Sequence, residues 1–111
     1  MSTTNIKLVQ GDNLPEVTLT LTDAQTGEPL DLSASTTTVV VKFRALGGTT
    51  VLSTLSCVKP NGGADGVVMF YFPGTTLDVA PGQYQGEIEI SFNGQILTVY
   101  DLLQFTLRAE F

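Results

Sequence analysis

The clearest hydrophobic pattern along the chain lies between Val79 and Tyr100. Tyr84, Gly86, Ile88, Ile90 and Phe92 fall on one parity, and Gln85, Glu87, Glu89, Ser91 and Asn93 on the other. A period of two places one face of a strand in a core and the other in water. Pro81-Gly82 opens the run and Asn93-Gly94 closes it. Asn-Gly between two alternating runs favours a two-residue hairpin, because both residues tolerate the positive φ that a type I′ turn requires. The pattern therefore predicts a β-hairpin with arms Gln83–Phe92 and Gln95–Asp101.

The rest of the chain reads in the same way. Ile6–Gln10 is a short first strand and Gly11-Asp12-Asn13 a turn. Pro15 stands at a strand entrance, where its missing N–H does least harm. Val17, Leu19 and Leu21 then alternate with Glu16, Thr18, Thr20 and Thr22, giving a half-buried strand with a threonine-rich outer face. Asp23–Pro29 is a turn cluster, followed by Leu30-Asp31-Leu32. Thr36–Arg44 is a strand with Val39, Val41 and Phe43 inside and Val40, Lys42 and Arg44 outside. After Gly47-Gly48, Thr50–Lys59 is a weaker strand with Val51, Leu55 and Cys57 as inward positions. Pro60–Gly66 is too rich in glycine for regular structure. Val67–Phe72 is apolar on both parities, which predicts a strand covered on two sides. Leu103, Phe105 and Leu107 alternate in a last strand.

No helical period of useful length occurs. The pattern gives about seven to eight short strands with turn signals roughly every 8–12 residues, the signature of a β-sandwich or barrel. Leu77 and Val79 followed by Pro81-Gly82-Gln83-Tyr84 resemble the tyrosine corner of immunoglobulin-like sandwiches, in which the tyrosine hydroxyl bonds back to upstream backbone. The competing reading makes Tyr84 an ordinary core aromatic.

With 111 residues, the chain suits one domain. We expect a flexible arm over residues 1–5 and a single β-sandwich over 6–111. A chain of this size buries roughly 65% of its unfolded surface, enough for a core without metals or disulfides. Hydrophobic residues make up 42% and charged residues 14%, which excludes disorder and leaves apolar surface for a partner. The net charge is −6, with only Lys7, Lys42, Lys59, Arg44 and Arg108 as cations. Phosphate-backbone binding requires clustered Lys and Arg, so neither nucleic acid nor a membrane surface is expected as a partner. No apolar run reaches a membrane-spanning length. The start, MSTTNIKLVQGD, lacks the basic and apolar regions of a secretory signal. A lone cysteine is consistent with folding in a cytosol.

Chemistry is sparse. There is no histidine to act as the usual base for a nucleophile. Cys57 lies in a strand-like run, where a free cysteine behaves as a small hydrophobe. Glu87 and Glu89 are the one close carboxylate pair in a strand, and their parity puts them in water. Asp12, Asp23, Asp31, Asp65 and Asp78 sit near turns and could in principle supply oxygen ligands to a hard cation. Their spacing matches no calcium motif, and turns favour aspartate in any case. No enzyme, metal or cofactor is expected.

Taken in order, the landmarks are Gln10-Gly11-Asp12, a strand of VTLTLTDA type running into a Thr-Gly turn, Leu30-Asp31-Leu32-Ser33, and the strand Thr38–Arg44. A glycine-rich loop then precedes Gly66-Val67-Val68 and an aromatic strand, and Val79-Ala80-Pro81-Gly82-Gln83-Tyr84-Gln85-Gly86-Glu87 follows. Over about residues 6–110 this order resembles the immunoglobulin-like N-terminal domain of phage baseplate upper proteins and related tail-fibre adaptor domains. Those proteins continue into a long second region, whereas this sequence stops. The resemblance implies an immunoglobulin-like antiparallel β-sandwich. It also implies a non-enzymatic structural protein of a tailed-phage virion, made in the bacterial cytoplasm and binding other virion proteins at the tail, baseplate or fibre attachment. It would be a homo-oligomer or lattice-bound. A capsid decoration or cement protein is the alternative. Val67, Met69, Tyr71 and Tyr100 are the candidate interaction surface. A carbohydrate-binding module is the reading from another class, and it would use Tyr71 and Tyr100 as its exposed aromatics.

Overall fold

A computed structural model describes residues 5–23, 25–99 and 102–111. They form eight strands: β1 (Asn5–Val9), β2 (Glu16–Thr20), β3 (Thr37–Ala45), β4 (Ser53–Ser56), β5 (Val67–Tyr71), β6 (Gly82–Phe92), β7 (Gln95–Thr98) and β8 (Leu103–Arg108). The large sheet has the order β1-β8-β6-β3-β4, with β7 also on β6, and the small sheet pairs β2 with β5. All pairings are antiparallel except β1 with β8. This is an immunoglobulin-like β-sandwich. The large sheet corresponds to the GFC side with an edge strand added at each end, β1 and β4, and β2 and β5 correspond to strands B and E of the other side. Asn5, placed in the N-terminal arm by the sequence, pairs with Gln104 in β1, and residues 1–4 lie outside the described residues.

The alternating pattern builds the core. Val39, Val41 and Phe43 of β3, Tyr84, Ile88 and Ile90 of β6, and Leu103, Phe105 and Leu107 of β8 all point inward from the large sheet. Val68, Phe70 and Phe72 meet them from the small sheet. Phe43, Phe70, Phe72 and Phe105 pack edge to face, and Tyr84 stacks on Phe43 at 5.0 Å. Offset and T-shaped arrangements of this kind favour the ring quadrupoles. Gly86 belongs to the inward parity because the rings leave no space there. A Cβ would lie 2.9 Å from both Phe105 and Val41.

The anchor hairpin forms with Phe92 opposite Gln95, and both Asn93 and Gly94 take positive φ, as a type I′ turn requires. Its return arm is interrupted, however. β7 ends at Thr98, Val99 N–H donates to Ile88 C=O, and β8 resumes at Leu103 opposite Gly86. The β7 and β8 registers on β6 thus differ by two residues.

Two other expectations change. Val51 is not inward but 46% exposed. The β3–β4 ladder ends at Ser53, and Leu52 N–H closes it on Phe43 C=O, so strand parity does not extend back to Val51. Among the described residues β5 is fully covered on one side only. Its inner parity is buried, but Val67 and Met69 are half-buried and Tyr71 is 46% exposed. Both sheets already spend their inner faces on each other, and no described segment lies over the outer face of β5.

Candidate interaction surface

The inward demand of Val68, Phe70 and Phe72 forces Val67, Met69 and Tyr71 outward, since successive side chains of a strand alternate. Register then sets their neighbours. Across β2, Tyr71 stands opposite Glu16, Met69 opposite Thr18, and Val67 opposite Thr20. On its other side Met69 meets Val58, each accepting the other's N–H at 2.8 and 2.9 Å. This bridge exists because the chain leaves the large sheet after Cys57, whose N–H still bonds to Val39 C=O, and enters the small one at Val58. The result is an apolar stripe of Val58, Val67, Met69 and Tyr71, bordered by threonines and one glutamate. Val58 was missed from the sequence, because nothing in its parity signals a change of sheet. Tyr100 lies outside the described residues.

An apolar centre with a polar margin is the composition of a protein-docking patch. Met adapts its shape to a partner and Tyr supplies a large contact area. Two further exposed apolar groups lie elsewhere: Leu46, Val51 and Leu52 around the β3–β4 connection, and Ile96 and Leu97 on β7.

Several of the groups singled out for chemistry have structural partners. Glu89 faces outward and accepts a 2.8 Å ion pair from Lys42 Nζ, which raises the lysine's pKa. Asp31 accepts hydrogen bonds from Ser33 Oγ at 2.6 Å and Ser33 N–H at 3.0 Å, which hold its carboxyl below the usual value. Asp65 accepts from Val67 N–H and Asn61 Nδ2, with the same consequence. Asp23 accepts from the N–H groups of Gln25 and Thr26. Among the described residues no group of three or more potential ligands could hold a metal ion. Burial pushes the Cys57 thiol up to about 12, which keeps it protonated and unreactive.

The landmark residues of the sequence serve the fold. Gly66 takes positive φ with its backbone against Leu21, where a Cβ would lie 2.5 Å from the carbonyl oxygen, and its own C=O accepts Leu21 N–H. Leu32 is fully buried, and its N–H bonds to Gly63 C=O. Tyr84 donates its hydroxyl proton to Ala80 C=O, four residues upstream.

No family model matches the chain, and no curated protein does. Among solved structures the fold is similar to the N-terminal domain of ORF48 of phage TP901-1. The TM-score is 0.55 at 15% identity, over 96% of this chain and 85% of that one. At that identity the likeness is one of fold.

Proposed function

We propose that this chain is a non-enzymatic structural component of a tailed-phage virion, docking other virion proteins at the tail, baseplate or fibre attachment. The observation that carries the reading is the end-to-end match in fold to a domain of a phage protein, covering 96% of this chain. It agrees with the order of landmarks that resembles baseplate upper proteins. The stripe of Val58, Val67, Met69 and Tyr71 is the surface we assign to docking, since it has apolar side chains to spare on a face that nothing in the described chain covers.

The experiment is positional. Antibody to the purified protein, carried on gold, is applied to purified particles of the phage whose genome encodes the chain. Label at the tail tip or fibre base is expected. Label over the head would replace this reading with a decoration role. Absence of the protein from intact particles would end the virion assignment altogether. A Met69→Glu/Tyr71→Glu double variant should remain folded and fail to incorporate; normal incorporation would move the docking surface elsewhere.

A further inference from the structure

β2 has β5 on one side and no strand of the described residues on the other. Alternate residues of a strand aim their N–H and C=O groups at opposite edges. Met69 spends both of its backbone groups on Val58, and Leu21 N–H bonds to Gly66, so the β2–β5 bonds run through Val17 with Phe70 and Leu19 with Val68. The backbone groups of Glu16, Thr18 and Thr20 therefore point out from the open edge. Natural proteins blunt such edges with lysine, proline, a bulge or a short strand. Of the other strands with a free edge among the described residues, β1 carries Lys7, β4 has only four residues before the chain changes sheet, and β7 is likewise four residues long. β2, five residues long, carries no lysine, proline or bulge within Glu16–Thr20. Leu19, though on the inner parity, is only half-buried, because nothing flanks it on that side.

We propose that β2 is a dimerisation edge. The β2 strands of two copies pair antiparallel about a two-fold axis through Thr18, joining the two small sheets into one four-stranded sheet. The occupant is a second copy because the strand is complementary to itself in this register. Thr18 faces Thr18, Glu16 faces Thr20 of the second copy, and Val17 faces Leu19. The inner row is apolar and covers the exposed part of Leu19. The outer row pairs threonine with threonine and a carboxylate with a hydroxyl, both favourable cross-strand combinations. An axis at Glu16 would set two carboxylates face to face, and an axis at Thr20 would leave Glu16 beyond the partner strand. The contact is isologous and closed, so it stops at a dimer. It also brings the two Val67, Met69 and Tyr71 stripes onto one face. The inference does not rest on the virion assignment.

Sedimentation of the full chain from about 1 μM to 1 mM tests it. The wild type is expected to show a reversible monomer–dimer equilibrium. Thr18→Lys places two ammonium groups directly across the axis while leaving the β2–β5 ladder intact; its dimer dissociation constant should rise at least about tenfold, with an unchanged far-UV spectrum. Amide exchange on the wild type gives a reading that no variant's folding can confuse. The Thr18 and Thr20 amides should gain protection as concentration rises, whereas those of Val17 and Leu19 should be protected throughout. A wild type that stays monomeric over the whole range overturns the proposal. So does a closed trimer or hexamer, a dimer that Thr18→Lys leaves intact, or Thr18 and Thr20 amides indifferent to concentration.

Discussion

Two side chains, Tyr84 and the partly buried Cys57, show how much of this molecule is decided residue by residue. The Tyr84 ring stacks on Phe43, and its hydroxyl ties the start of β6 to Ala80, locking the crossover from the small sheet to the large one. Tyr84→Phe keeps the ring and removes one hydrogen bond, so it should cost on the order of 1 kcal/mol of stability; an unchanged denaturation midpoint would show that the bond contributes nothing. Cys57 is governed by desolvation. Its thiol ionises near 9.0 when exposed and at about 12 in the fold. Folding therefore holds the proton, and stability should decline as pH rises from 9.0 towards 12. At pH 8 a thiol reagent should modify the native protein at least about a hundredfold more slowly than the denatured one. Equal rates would mean that the sheet crossing at Cys57 opens freely.

At the level of elements, β6 is the strand on which the others are assembled, since it pairs with β3 along one edge and with β7 and β8 along the other. Ile88 is fully buried at its centre, and Glu87 beside it faces out. Ile88→Asn buries an unpaired amide and should leave the chain unfolded or aggregated. Glu87→Gln should shift the melting temperature little; a large loss would contradict the parity of the strand. That parity was legible in the sequence, as were the Asn93-Gly94 turn and the core of β3, β5, β6 and β8, because alternation and turn chemistry are local signals. The parallel pairing of β1 with β8 left no such trace, since no turn encodes it. The same holds for the crossing at Val58, set by what lies alongside. The outward stripe was half legible. Val67, Met69 and Tyr71 stood out as apolar residues on the wrong parity, but an apolar run does not reveal whether its second side faces protein or water.

Across the whole molecule, one end of the sandwich is closed by two loops that hydrogen-bond to each other. Leu32 N–H donates to Gly63 C=O, and Leu21 donates to Gly66 and accepts from Leu30. Each loop is stapled by an aspartate, Asp31 in the first and Asp65 in the second, and both are held below the ordinary aspartate value of 3.8 by the hydrogen bonds they accept. A carboxyl whose pKa is lower folded than unfolded stabilises the fold above its unfolded pKa, and that contribution disappears as pH falls through the folded value. Stability should therefore be insensitive to these two groups from neutral pH down to about 5 and should weaken below 3.8. Asp31→Asn/Asp65→Asn retains an acceptor oxygen at each staple and removes the titration. Denaturant midpoints measured from pH 6 to pH 2 should fall less steeply in the double variant than in the wild type, and the two curves should converge at the acid end. Parallel curves would place the acid sensitivity in other carboxylates and would mean that the loop staples hold equally well when protonated.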